Sequence, residues 1–147
     1  MKINFVCYGN ICRSPMAEFV MKNLVAQAGL SDKISVVSSG CHALEGTPVS
    51  SGTCYELSLH NIPTENRTAR QFVREDYQTC DLIIAMDEFN LRDIKKITGG
   101  DPDNKIFLMM EWVGENRDVE DPYVTDNYAE TYKDISRACA AILRRLI

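Results

Sequence analysis

The sequence predicts a single α/β domain, spanning residues 1–147, in which a four-stranded parallel sheet carries helices on both faces. Three observations support this fold class. Short runs rich in Val, Ile and Leu alternate with longer segments of helical periodicity. Those runs are nearly continuous in apolar residues, which is typical of parallel strands buried on both faces. The chain of 147 residues is 45% hydrophobic, which suits one core.

The first strand and the first helix are separated by a short loop. The run KINFVC at 2–7 predicts the strand, and apolar residues recur at helical spacing from Met16 to Ala28. Ser14 is placed to cap this helix, and Pro15 to be its first residue, where the missing N–H of proline costs nothing. The loop therefore runs from a strand end directly into a helix N-terminus.

The remaining elements continue the alternation. Further strands are predicted at 33–40, 81–87 and 105–110, and further helices at about 47–60, 88–97 and 128–146. The long segment at 111–127 follows the fourth strand and has no regular pattern. Loops of this length are usually functional, and parallel sheets bind ligands beyond the carboxyl ends of their strands. We therefore expect this segment to approach the loop after the first strand.

The composition argues against several classes of partner. The formal net charge is −5, the sequence pI is about 5.0, and no cluster of basic residues is present, so nucleic acid is not an expected partner. No stretch approaches the roughly 18 apolar residues of a membrane helix, and the start MKINFV does not resemble a secretion signal. We expect a cytoplasmic protein that binds neither membrane nor nucleic acid.

Six cysteines stand at positions 7, 12, 41, 54, 80 and 139. They include no Cys-x-x-Cys pair, and only two histidines accompany them, so neither a metal nor another cofactor is expected. A disulfide scaffold is also a poor interpretation for a chain long enough to fold without cross-links. Three or four of the six are expected to be small core residues.

The loop from Cys7 to Ser14 has the composition of an anion site. A loop that turns into a helix N-terminus directs backbone N–H groups inward, and the helix dipole adds positive potential. Gly9 is expected to permit the turn, and Arg13 adds a planar charge suited to phosphate oxygens. Cys7 alone would be read as a core residue, but this setting stabilises a thiolate nucleophile. Cys12 is either a packing residue or a thiol that captures oxidised Cys7.

With these residues the chain resembles the low-molecular-weight protein tyrosine phosphatases. The motif CYGNICRSP at 7–15 carries the likeness, together with Asp-Pro-Tyr at 121–123, ARQF at 69–72 and DLIIAMDEFNLRDI at 81–94. The resemblance implies a sheet of strand order 2-1-3-4, in which this motif is the phosphatase loop after strand 1. It also implies a substrate that is a phosphotyrosine protein or a small aryl phosphate, with inorganic phosphate as product.

The resemblance further implies a role for each matching residue. Cys7 becomes the nucleophile, Arg13 binds phosphate, and Asp121 is the general acid and then the general base. A departing tyrosyl oxygen has a pKa near 10 and therefore needs such an acid. Asn10 holds the loop in shape and Ser14 supports the thiolate. The implied phosphate- and substrate-binding residues are Tyr8, Gly9, Asn10, Ile11, Cys12, Ser14 and Tyr123, the last at the mouth of the pocket.

Two departures from the family pattern concern the substrate cleft. Ala43 or Leu44 stands where many relatives carry an aromatic residue, so one wall of the cleft is expected to be open. Val124 follows Tyr123, where relatives often have a second aromatic residue. Both departures bear on substrate preference rather than on the chemistry.

Four rival functions remain. Arsenate reductases of related fold relay oxidation through a further cysteine pair, but here Cys80 is the only cysteine in the comparable region. Protein-arginine phosphatases of this family carry threonine where this chain has Ile11. A phosphocysteine carrier domain is disfavoured by Arg13 and Asp121. A non-catalytic phosphopeptide-binding module is disfavoured by the presence of both a nucleophile, Cys7, and an acid, Asp121.

Overall fold

In the computed structural model, which describes all residues from 1 to 147, strand β1 (Lys2–Cys7) lies inside a parallel sheet of order β2-β1-β3-β4. The predicted fold class and strand order are confirmed. The other three strands are β2 (Ser35–Gly40), β3 (Leu82–Ala85) and β4 (Ile106–Leu108). Because Cys7 pairs with Gly40 at the last position of both strands, β1 and β2 end together at one edge of the sheet.

The helices cover both faces of this sheet. They are α1 (Arg13–Gln27), α2 (Ser51–Leu59), α3 (Glu75–Thr79), α4 (Glu88–Thr98), α5 (Pro122–Thr125) and α6 (Tyr128–Leu146). Successive side chains of a strand point to opposite faces. Phe5 therefore joins a core cluster with Phe19 of α1 and Ile135 of α6, whereas Val6 joins a second cluster with Ile94 of α4. The two clusters bury β1 on both sides.

Several predicted boundaries are corrected. Helix α1 begins at Arg13 with Cys12 as its N-cap, so Ser14 is the second helical residue and not the cap. Its hydroxyl is used by the neighbouring loop instead of by the helix end. The segment at 111–127 is not wholly irregular, because a 3-10 helix (Met109–Val113) overlaps its start and α5 lies within it. Helix α3 was not predicted, since its five residues are too few to show a periodicity.

No helix is both long enough and apolar enough to cross a membrane.

Candidate active site

The Cys7 side chain lies at the carboxyl end of β1 and is 3% exposed. Its Sγ is 3.0 Å from Ser14 Oγ, and the backbone N–H of Asn10 donates to Sγ over 3.3 Å. Both contacts place a polar hydrogen-bonding group directly beside the sulfur. Ser14, placed on the first turn of α1, is therefore a partner of the sulfur.

Asn10, rather than Gly9, gives the loop its shape. Asn10 has φ of 59°, a left-handed conformation, whereas Gly9 does not have positive φ. The prediction that Gly9 permits the turn is therefore wrong. Asparagine tolerates this conformation better than most residues, because its side chain can hydrogen-bond locally.

The Asn10 side chain is fully buried and makes four hydrogen bonds. Its Nδ2 donates to Ser14 Oγ at 2.8 Å and to Ser38 Oγ at 3.0 Å. Its Oδ1 accepts from Arg67 Nη2 at 2.6 Å and from the backbone N–H of Arg70 at 3.0 Å. The residue thus connects the loop to α1, to β2 and to the segment that contains ARQF.

Gly40 allows the loop to lie directly on the end of β2. A Cβ at this position would be 2.7 Å from the backbone oxygen of Tyr8 and 2.9 Å from the backbone nitrogen of Asn10. Real Cβ atoms do not approach backbone this closely, and the backbone of the loop cannot rotate away as a side chain can. Any other residue at position 40 would displace the loop.

The Arg13 guanidinium is buried beside the sulfur. Its Nη1 donates to Asp87 Oδ2 and to the backbone oxygen of Val119, each at 2.8 Å, and its Nη2 is 3.7 Å from Asp121 Oδ2. Burial by itself would lower the pKa of Arg13, but the charges of Cys7, Asp87 and Asp121 outweigh it and raise the pKa. The guanidinium is a fixed, permanent positive charge.

Asp121 reaches the same site from the far end of the chain. It is the N-cap of α5, and its Oδ1 accepts a hydrogen bond from the backbone N–H of Tyr123 at 3.1 Å. Its side chain is 34% exposed, so it can exchange protons with solvent. The expectation that the segment after the fourth strand approaches the Cys7 loop is confirmed.

A pocket of about 550 Å³ opens above these groups. Its lining includes predicted site residues, namely Cys7, Tyr8, Gly9, Ile11, Cys12, Arg13, Asp121 and Tyr123, and also His42, Leu44 and Thr47. Asn10 and Ser14 do not line it and act from behind the loop. No group of three or more His, Cys, Asp or Glu side chains is arranged to hold a metal ion.

The wall that was expected to be open is partly formed by other residues. The rings of Tyr8 and His42 lie 4.8 Å apart, and His42 Nε2 is 2.9 Å from Asp93 Oδ2 on α4. Leu44 contributes an apolar side chain to the same pocket, and the highly exposed Tyr123 stands at its mouth. The cleft therefore has aromatic surface despite the absence of an aromatic residue at 43 or 44.

Cys12 lines the pocket with Cys7, and both are free thiols. Cys12 Sγ is 3.4 Å from Ser50 Oγ and 3.7 Å from the hydroxyl of Tyr128, and burial raises the pKa of Cys12. Its thiol is therefore held in the neutral form, unlike a nucleophile. Of the other four cysteines, three are buried, namely Cys41, Cys80 and Cys139, and Cys54 is partly exposed.

Sequence reasoning missed Asp87, Gly40, Ser38 and Arg67. Asp87 had a usable signal, because it closes the third apolar run and so lies at the same sheet edge as Cys7. Gly40 similarly closes the second run, but nothing in the sequence shows that a backbone packs against it. The contacts of Ser38 and Arg67 with Asn10 join positions far apart in the chain and carry no sequence signal.

Comparison with known proteins shows what the whole chain is similar to. A family model described as low molecular weight phosphotyrosine protein phosphatase matches residues 2–147. The low molecular weight protein-tyrosine-phosphatase YfkJ of Bacillus subtilis is 36% identical over 146 residues, covering 97% of this chain and 94% of that protein. The PtpA phosphatase of Staphylococcus saprophyticus is 37% identical over 149 residues, covering 99% and 93%.

Solved structures give the same result. The crystal structure of Bacillus subtilis YfkJ matches with a TM-score of 0.95 at 35% identity, over 99% of this chain and 94% of that one. A structure of the YwlE arginine phosphatase, a mutant with a phosphorylated active-site serine, matches with a TM-score of 0.90 at 29% identity, over 99% and 95%.

Proposed function

Because the chain belongs to the low-molecular-weight protein tyrosine phosphatase family and is an enzyme of this type, we propose that it hydrolyses phosphotyrosine through a phosphocysteine intermediate on Cys7. The observation that carries the proposal is geometric. The Cys7 sulfur, the Arg13 guanidinium and the Asp121 carboxyl open onto one pocket. We assign the whole of residues 1–147 to this one catalytic domain.

In the first step, the phosphate occupies the loop, where backbone N–H groups and the Arg13 guanidinium bind its oxygens. The Cys7 thiolate attacks phosphorus, so that an S–P bond forms while the P–O bond to the tyrosyl ring breaks. Asp121, protonated at the start of this step, gives its proton to the departing phenolate oxygen. The products are the phosphocysteine enzyme and tyrosine.

In the second step, water attacks the phosphocysteine. The Asp121 carboxylate takes a proton from that water as its oxygen bonds to phosphorus, and the S–P bond breaks to regenerate the thiolate. Inorganic phosphate leaves, and Asp121 is protonated again for the next cycle. Atoms and protons balance without a cofactor.

Most of the rate enhancement must come from electrostatics. Complete ionisation of a cysteine gains only about 30-fold over the few per cent of thiolate that a free cysteine has at neutral pH. Enzymatic accelerations begin at about 10⁶-fold. Two groups stabilise the phosphoryl group while it is transferred: the Arg13 guanidinium, held by Asp87 and Val119, and the inward N–H groups of the loop. These donors are already in place and need no reorganisation during the reaction.

Phosphoarginine is the second candidate substrate, because YwlE, described as an arginine phosphatase, is among the structural matches. Ile11 argues for phosphotyrosine, since its side chain gives the pocket an apolar surface beside Tyr8. An arsenate reductase relay has less support. Cys80 lies just before β3, at the opposite end of the sheet from Cys7, and its buried thiol has a raised pKa.

The test measures kcat/KM of one preparation for a phosphotyrosine peptide, a phosphoarginine peptide and arsenate reduction. We expect the phosphotyrosine value to exceed the others by at least about 100-fold, consistent with discrimination by a shaped pocket. Cys7→Ser should abolish turnover while inorganic phosphate still binds. Turnover that persists in Cys7→Ser would refute the nucleophile assignment.

A further inference from the structure

A salt bridge outside the pocket holds residues 114–121 against helix α6. Nη1 and Nη2 of Arg117 donate to the two carboxylate oxygens of Asp134, each at 2.8 Å. A planar, two-point contact of this kind fixes orientation as well as distance. Asp134 is 3% exposed and lies beside the core residue Ile135 on α6, so the anchor belongs to a rigid element.

Both members of this pair are held in their charged forms. Hydrogen bonding to Arg117 lowers the pKa of Asp134, and the same bond raises the pKa of Arg117. A buried carboxylate without its partner would be strongly unfavourable. The contact is therefore maintained throughout the neutral pH range.

The backbone that follows Arg117 is fastened to the catalytic site and again to α6. The backbone oxygen of Val119 accepts a hydrogen bond from Arg13 Nη1 at 2.8 Å. The backbone oxygen of Glu120 accepts one from Thr131 Oγ1, on α6, at 3.2 Å. The backbone before Asp121 is therefore held at two points, by Arg13 at the site and by Thr131 on α6.

Asp121 itself has weak attachments. One carboxylate oxygen accepts from the backbone N–H of Tyr123 at 3.1 Å, and the other is 3.7 Å from Arg13, beyond hydrogen-bonding distance. Its position therefore depends on the backbone that carries it. A displacement of about 1 Å in a reacting group can cost about 100-fold in rate.

We propose that Arg117 is a positioning residue for the general acid: its clamp on Asp134 sets the place of the Asp121 carboxyl over the pocket. The proposal rests on the proposed function of Asp121. Arg117 contacts neither substrate nor sulfur and acts only through the segment. Its removal should therefore weaken proton donation to the leaving group more than it weakens attack by Cys7.

The experiment compares kcat/KM for phosphotyrosine with kcat/KM for 4-nitrophenyl phosphate, whose leaving group departs readily without a proton. This parameter reports the steps up to leaving-group departure, even where hydrolysis of the phosphocysteine limits kcat. Arg117→Gln should lower the phosphotyrosine value about 10-fold more than the nitrophenyl value. Arg117→Lys, which keeps the charge but loses the two-point contact, should lie between wild type and Arg117→Gln.

Lys22→Gln is the matched control. Lys22 also pairs with a buried carboxylate, that of Glu18 on α1 at 2.7 Å, and its side chain is 33% exposed against 43% for Arg117. Its ion-pair partners, Glu18 and Glu65, lie outside both α6 and residues 114–121. Its substitution should leave the ratio of the two kcat/KM values unchanged. Thermal melts of every variant show which are folded at the assay temperature; if Arg117→Gln is not, Arg117→Lys carries the test.

Two outcomes overturn different claims. Equal losses on both esters in the folded Arg117 variants, or a ratio fully restored by lysine, would overturn the positioning role. Asp121→Asn is measured in parallel and should lower the phosphotyrosine value by at least about 100-fold more than the nitrophenyl value. If Asp121→Asn affects both esters equally, the assignment of the general acid fails, independently of Arg117.

Discussion

Asn10 shows how one residue can serve both a backbone conformation and a hydrogen-bond network. Its φ of 59° turns the loop, and its side chain joins Ser14, Ser38, Arg67 and the backbone of Arg70. Glycine would adopt this conformation without strain, but it offers no side-chain donor or acceptor. The two contributions can therefore be separated by substitution.

We predict that Asn10→Gly and Asn10→Ala both lower kcat/KM at least about 10-fold, because the loop loses its connections to α1 and β2. Removing one partner of buried hydrogen bonds costs about 1–3 kcal/mol of unfolding free energy. The alanine variant should be about 1 kcal/mol less stable than the glycine variant, since alanine disfavours positive φ. Urea unfolding and steady-state kinetics measure both. Full activity in Asn10→Gly would show that backbone conformation alone matters.

Individual site residues differed in how readily the sequence revealed them. Cys7 and Arg13 could be predicted as site residues because a strand followed directly by a helix N-terminus is typical of an anion-binding loop. Asp121 was distinguishable from Glu120 and Asp118 only by the family motif, since acidic residues are common in this chain. The sequence pointed to Gly9 as the turning residue, whereas the structure shows that it is Asn10. Glycine is the default residue for positive φ, and asparagine competes only where its side chain has partners.

At the scale of elements, the junction of β3 and α4 supports the site through Asp87. This residue is the N-cap of α4, where its Oδ1 accepts from the backbone N–H of Asn90 at 2.7 Å. Its Oδ2 receives the hydrogen bond from Arg13 at 2.8 Å. One carboxylate therefore starts a helix and balances the charge of the buried guanidinium.

We predict that Asp87→Asn destabilises the phosphate-free protein by about 3 kcal/mol, because Arg13 stays buried without its closest counter-charge. Asparagine is an equally good N-cap, so α4 should persist. Phosphate supplies the missing negative charge, and it should therefore raise the melting temperature of Asp87→Asn more than that of wild type.

The matched control for this prediction is Asp118→Asn. Asp118 accepts a hydrogen bond from the backbone N–H of Glu88, also at the start of α4, but it does not contact Arg13. Its phosphate-induced shift should equal that of wild type. A smaller shift in Asp87→Asn than in wild type would mean that Asp87 matters chiefly by orienting Arg13 for phosphate.

The order and type of the long elements could be predicted, whereas their ends could not. Apolar runs identified all four strands because parallel strands are buried along most of their length. The run at 81–87 nevertheless overestimates β3, since Met86 continues the apolar pattern beyond the end of the strand at Ala85, and Asp87 is already the N-cap of α4. The position of Ser14 just before Pro15 predicts a helix cap, but its hydroxyl instead contacts the Cys7 sulfur and the Asn10 side chain.

For the whole molecule, the parallel sheet explains why distant residues meet. Every strand ends at the same edge, so Cys7 at the end of β1, Asp87 after β3 and Asp121 beyond β4 converge around Arg13 although 114 positions separate the first from the last. The same sheet buries thiols that take no part in the site. Burial raises the pKa of Cys41 to about 12 and also raises the pKa of Cys139.

These buried thiols should make the protein sensitive to alkaline pH. A thiol whose folded pKa is raised contributes stability that is complete below the unfolded value of about 8.5 and is lost as pH rises above it. One pH unit above that value, each such thiol lowers the unfolding free energy by about 1.4 kcal/mol. This stability is lost because, at such pH values, the thiol ionises in the unfolded chain but not in the folded one.

We predict that Cys139→Ala loses less unfolding free energy between pH 7.5 and pH 9.5 than wild type does, by about 1.4 kcal/mol, because it removes one thiol that only the unfolded chain ionises. At pH 7.5 its unfolding free energy should be about 1 kcal/mol lower than that of wild type, since loss of the sulfur leaves a small cavity beside α6. Urea unfolding with a reducing agent at both pH values measures these differences. Ile142→Val, equally buried on α6 and not ionisable, should be destabilised by the same amount at both pH values. Parallel pH dependence of wild type and Cys139→Ala would contradict this account, because burial of Cys139 would then have no electrostatic consequence.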